Sequence, residues 1–204
     1  MTFLRRTFMV AATVAVVVFS SAASAYEKGD WLVRVGVGNV DPKSDNGVIA
    51  SVDSGTALVF NGTYFFTPNL GFEILAATPF SHDIKLAADG TKVGEAKHLP
   101  PTFSLQYHFD TEGTFNPYVG AGLNYTLFFD EETTGPLTGT SLKLDDSLGL
   151  AAQLGADFDV SEKMYVNFDV RWMDINTDAK LDGALLEEVE IDPWVYSLTV
   201  GWKF

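Results

Sequence analysis

The sequence predicts an all-β protein, an eight-stranded antiparallel transmembrane β-barrel of the outer membrane with short periplasmic turns and four longer extracellular loops. Three observations predict it. Apolar residues recur at every second position in segment after segment, charged residues inside those segments keep to the opposite parity, and short connections alternate with long ones.

Taken in order, residues 1–25 carry Arg5 and Arg6, an apolar run over 8–19, and the small-residue ending Ala23-Ser24-Ala25. The run is shorter than the ~20 residues a spanning helix needs. It reads as a signal peptide cleaved before Tyr26, leaving 26–204 as the barrel. Trp31, Val33, Val35 and Val37 then alternate with Leu32, Arg34, Gly36 and Gly38. Phe60, Tyr64 and Phe66 alternate with Asn61 and Thr63, and Phe72, Ile74 and Ala76 with Glu73 and Leu75. Phe103, Leu105, Tyr107 and Phe109 oppose Thr102, Ser104, Gln106 and His108. Val119, Ala121, Leu123, Tyr125 and Leu127 form the apolar parity of a fifth strand. Leu148, Leu150, Leu154 and Phe158 form that of a sixth, and Val166, Phe168, Val170 and Trp172 that of a seventh. Trp194, Tyr196, Leu198, Val200, Trp202 and Phe204 complete the eighth. Short connections fall near 67–70, 110–116 and 159–163, and long ones near 41–55, 79–100, 130–146 and 174–193, which puts both ends of the barrel at the periplasmic rim.

Charge decides which face meets lipid, because an Arg or Lys at the bilayer midplane costs ~2–4 kcal/mol. Arg34, Glu73, Asp157, Asp169, Arg171 and Lys203 all lie on the polar parity. Aromatic residues sort into two belts, with Trp31, Phe66, Phe109, Phe158, Trp202 and Phe204 near the short turns and Phe129, Trp172, Trp194 and Tyr196 near the loops. A soluble sandwich or lipocalin-like barrel satisfies the parity too, but not the signal peptide, the belts and the loop asymmetry together.

The blocks YEKGDWLVRVGVGNVDP, AATPFSHDI, KHLPPTFSLQYHF, NPYVGAGLNYTLFFDE and IDPWVYSLTVGWKF resemble the OmpW (outer-membrane protein W) family, in order and across nearly all of 26–204. The resemblance implies an eight-stranded outer-membrane barrel with a narrow, partly hydrophobic lumen, and passage of small hydrophobic molecules.

Eight strands enclose little more than side chains can fill. Sorting the inward parity by depth places Ala57, Val59, Leu75, Ala77, Met173, Ile175 and Val195 toward the loops, either as an apolar cup for a ligand or as residues that pack against one another or against an inserted loop. Toward the periplasm lie Arg34, Glu73, Gln106, His108, Gln153, Asp157, Asp169, Arg171 and Lys203. An unpaired buried charge is costly, so these are expected to pair into a polar plug. A small apolar compound would enter from outside, settle in the cup, and leave sideways through the wall or downward after the plug rearranges. The alternative is a structural or surface-recognition protein with a closed lumen, whose loops bind a phage, a host molecule or an envelope partner.

No catalytic constellation is expected. Ser81-His82-Asp83 in extended chain point to opposite sides, and His82 with His98 supply two metal-type ligands without a third. Neither a cofactor nor a metal is implied. The acidic runs at 130–132 and 187–192 are read as outer-loop residues, in the plainer reading simply solvated and in the sharper one sharing divalent cations with anionic lipid headgroups. The formal charge is −14, and −16 once Arg5 and Arg6 leave, which disfavours nucleic acid. Expected partners are outer-membrane lipid and lipopolysaccharide, small hydrophobic ligands, and, during biogenesis, periplasmic chaperones and the barrel-assembly machinery. The oligomeric state stays open.

Overall fold

A computed structural model describes residues 25–44 and 46–204. The expected signal peptide lies, apart from Ala25, outside the described residues. The strands are β1 (Trp31–Asp41), β2 (Ala50–Val52), β3 (Gly55–Phe65), β4 (Leu70–Ala77), β5 (Phe80–Leu86), β6 (Lys92–Leu99) and β7 (Thr102–His108). They continue with β8 (Phe115–Thr133), β9 (Leu142–Leu144), β10 (Ser147–Asp159), β11 (Met164–Met173), β12 (Asn176–Leu181), β13 (Ala184–Glu190) and β14 (Trp194–Lys203).

Eight of them close a barrel. The antiparallel order is β1-β3-β4-β7-β8-β10-β11-β14, and β14 returns to β1 with Val35 opposite Val200 and Asp41 opposite Trp194. Closure leaves no strand edge unpaired, which a sheet in hydrocarbon requires. Alternation does the sorting. Along β14, Trp194, Tyr196, Leu198, Val200 and Trp202 are exposed while Val195, Ser197, Thr199 and Gly201 are buried.

The outer wall is therefore apolar and the interior charged: Arg34, Glu73 and Asp157 are fully buried, whereas Trp31, Leu105 and Leu198 are more than half exposed. A soluble barrel would show the reverse, and an apolar surface this extensive marks a lipid-facing wall. This is an outer-membrane barrel that crosses the membrane with strands.

The four long connections differ from the expected loops, because much of their length is itself stranded. β5 pairs with β2 and β6, and β6 pairs with the outer part of β8. On the other side β12 pairs with β13 and β9. The reason is visible in FSHDIKL, where Phe80, His82 and Ile84 are buried inward and Ser81 is exposed. The wall continues above the membrane and keeps an apolar lining.

Candidate functional site

The lower interior is filled by a charged network centred on Glu73. Its carboxylate accepts from Arg171 at 2.7 Å, Gln106 at 2.8 Å, Asn61 at 3.0 Å and Arg34 at 3.2 Å. Arg34 also donates to Asp157 at 3.0 Å, and Arg171 lies 3.5 Å from Asp169. Asn167 and Tyr26 donate to Asp157 at 2.8 and 2.7 Å, and the Tyr118 hydroxyl donates to Asp169 at 3.0 Å. Two guanidinium groups thus face three carboxylates in a space closed to water.

The aromatic rings of this layer lie against glycines. A Cβ at Gly155 would come within 2.3 Å of the Tyr118 ring, and one at Gly201 within 2.2 Å of the Tyr165 ring. Only a residue without a side chain lets each ring lie flat on the wall, over which the Arg34 guanidinium sits 5.3 Å from the Tyr118 centroid and 5.5 Å from that of Tyr165.

Of the polar residues expected here, Arg34, Glu73, Gln106, Asp157, Asp169 and Arg171 are joined in this way, and His108 lies 3.1 Å from the Gln106 side-chain oxygen. Gln153 is buried but its amide makes no hydrogen bond and instead packs against Gly120. Lys203 sits lower, half-buried at the periplasmic rim, paired with Asp159 at 2.8 Å. Tyr26, Phe65, Tyr118 and Tyr165 were not anticipated. Tyr26 precedes the first strand and stacks on Phe65 at 4.5 Å, sealing the lower mouth; nothing in strand periodicity points to it.

Above this layer the interior is apolar. Ala57, Val59, Leu75, Met173, Ile175 and Val195 are buried in one cluster, with the half-buried Ala77 packed against it. Phe80 belongs to the same cluster and is 1 % exposed. None of the seven is among the residues that line the outer cavity. The cavity of about 80 Å³ lies farther out, lined by residues of the outer strands such as Ile84, Val93, Phe128, Leu144, Ala179, Val189 and Ile191. Its lining is apolar except for His82, His98, Thr177 and Glu187. The outer strands that line this cavity read in sequence as irregular loop, so the sequence names the apolar cup beneath it and not the cavity itself.

Two features finish the cavity. Glu187 on β13 reaches across to the first long connection, where its carboxylate accepts backbone N–H groups of Val48 at 2.8 Å, Ala50 at 2.9 Å and Ile49 at 3.1 Å. This clasps 48–50 over the outer end, since Ile49 and Ala50 also line the space. At the side, a cleft bordered by Leu127, Phe129 and Lys143 shares Phe128 and Leu144 with the cavity wall, and Leu127 is exposed on the lipid parity.

His82 and His98 meet inside the cavity wall, their rings 4.8 Å apart and 15° from parallel. Burial pushes His82 below its ordinary value; burial, with the neighbouring His82, pushes His98 down to about 3. Both rings are neutral at pH 7. Ser81 and Asp83 turn away to Glu95 and Lys92, so no triad forms. Residues 130–132 lie in β8 and 187–190 in β13, with Asp192 beyond its end, and much of their charge is used internally: Asp130 pairs with Lys97, Glu131 with Lys143 and Glu190 with Lys43. Among the described residues no cluster of three metal-type ligands occurs.

A sequence model of the OmpW family matches residues 27–204. The chain is 43% identical to outer membrane protein W of Vibrio cholerae, over 91% of this chain and 93% of that one. In structure it is similar to the outer membrane protein OprG of Pseudomonas aeruginosa, with a TM-score of 0.78, 38% identity, and 88% and 97% of the two chains covered. It is also similar to outer membrane protein AlkL solved in DMPC lipid bilayers, with a TM-score of 0.65, 27% identity, and 92% and 96% covered. A closed eight-stranded barrel with lipid-facing belts and this degree of likeness over nearly its whole length belongs to the OmpW family and resides in the outer membrane.

Proposed function

We propose that the barrel takes small apolar molecules from outside into its outer cavity and denies them a straight path to the periplasm. The observation that carries the reading is the stacking of two unlike layers. An apolar cavity under the Glu187 clasp offers transfer from water, worth roughly 25 cal/mol per Å² of apolar surface buried. Directly beneath it lies an apolar floor, and then the fully buried Arg34–Glu73–Arg171 network, which an apolar solute could pass only by breaking charge pairs. The side cleft shares Phe128 and Leu144 with the cavity wall and is also lined by Leu127, Lys143, Asp145 and Asp146; a sideways exit into the membrane past the exposed Leu127 is the route this reading takes. No step of this reading is catalytic and none needs a cofactor.

A second reading is a surface-recognition protein with a closed lumen, favoured by the solidly filled lower half. Titrating toluene into the nanodisc-embedded protein separates the two. Saturable shifts of the Ile84 and Ile191 methyl resonances are expected; methyl resonances that do not move would leave only the second reading.

A further inference from the structure

The cavity is apolar, yet two buried nitrogens in its wall have no partner. His82 and His98 are 4 % and 5 % exposed. The Nε2 atom of each is buried without any hydrogen bond. Buried polar groups are nearly always satisfied, so an orphan pair facing a cavity asks what satisfies it. The aromatic rings around the pair supply no hydrogen-bonding atom: the Phe80 and Phe128 ring centroids lie 5.4 and 5.8 Å from that of His98.

The hydrogen-bonding roles follow from chemistry. His82 Nδ1 lies 2.6 Å from the backbone carbonyl oxygen of Asp53. A carbonyl only accepts, so Nδ1 carries the proton, and the Nε2 of this neutral ring presents a lone pair. That atom requires a donor. Among the described residues no carbonyl pairs with His98 to fix its tautomer, so its Nε2 can carry the proton and donate. A hydroxyl group is both donor and acceptor. One hydroxyl oxygen off the edge of the stack, between the two ring planes, can therefore give its proton to His82 and receive one from His98, the ring centroids being 4.8 Å apart, less than two hydrogen bonds of about 2.9 Å end to end. A hydrocarbon leaves both nitrogens unsatisfied, and a ketone or ether can serve only His98.

We propose that the stacked His82–His98 pair is the polar end of the cavity and selects apolar molecules bearing one hydroxyl group, alcohols or phenols, over hydrocarbons of the same shape. This deepens the reading of the cavity as an apolar binding site and rests on it. Gly55 belongs to the device: a Cβ there would come 2.7 Å from His82 Cε1 and 2.9 Å from its Nε2, so the ring can hold this place only beside glycine.

The test uses phenol and toluene, which differ by a hydroxyl in place of a methyl, titrated into wild-type protein and the His98→Phe and His82→Phe variants in identical nanodiscs. The affinity ratio of phenol to toluene is expected to fall at least about tenfold in either variant. In the wild type, phenol and not toluene is expected to shift the imidazole ¹⁵N resonances of both histidines, a readout that needs no variant to fold. If phenol moves neither resonance and its ratio to toluene survives both substitutions, the hydroxyl assignment is overturned while saturable toluene binding preserves the apolar site. If neither compound binds saturably, both readings are overturned.

Discussion

Replacing Glu73 with alanine is expected to lower the unfolding free energy by about 3–5 kcal/mol, the cost of breaking a buried ion pair by removing one partner. Glu73 is fully buried and accepts from four side chains, two of them guanidinium groups. Without it Arg171 keeps only the longer contact to Asp169, and its Nη1 already has no partner. Asn61 and Gln106 lose their acceptor at the same time. The measurement is urea unfolding from lipid vesicles, read as the shift of the midpoint. Because the two guanidinium groups then repel across an emptied centre, planar-bilayer conductance is expected to rise in the same variant. Unchanged stability and unchanged conductance would show that the layer is neither a staple nor a barrier.

Replacing Val93 with aspartate is expected to abolish saturable toluene binding, a loss of tenfold or more, while the barrel stays folded. Val93 is 3 % exposed and lines the cavity on β6. The two side chains are close in volume, so the substitution changes chemistry more than shape. An ionised carboxylate in an apolar space draws in water or protonates, and either outcome removes the driving force for an apolar guest. The strand lies in the outer extension, so the membrane-spanning registers of β1, β3 and β14 are untouched. Binding that survives with wild-type affinity would place the ligand elsewhere.

The barrel itself was legible in the sequence because a strand with two unlike faces writes its orientation at every second residue, as in the Phe103, Leu105, Tyr107 set of β7. The same parity put Arg34, Glu73, Asp157, Asp169 and Arg171 on one interior face. It could not say that Arg171 reaches Glu73, 98 residues away, because that contact depends on the register and shear of strands that are not neighbours in sequence. Lys203 keeps the inward parity at the periplasmic end of its strand, but its partner Asp159 lies on another strand and is not signalled by parity.

The outer cavity was not legible, for a different reason. Phe80, His82, Ile84 and Leu86 alternate with Ser81, Asp83 and Lys85, the same period-two signal used for the membrane strands, but their polar neighbours and the Asp89-Gly90 turn made the segment look like loop. The Glu187 clasp left no local trace at all. A carboxylate holding three backbone N–H groups 137 to 139 residues away reads, in sequence, as one more acidic residue in a charged run.

The most direct test of where a guest resides is the anomalous scattering of bromine in crystals of the protein saturated with 1-bromohexane. The account predicts a single ordered bromine site inside the barrel, among the side chains of Ile84, Val93 and Leu144. A bromine lodged between Arg34, Glu73 and Arg171, or crystals with none in the interior, would contradict it.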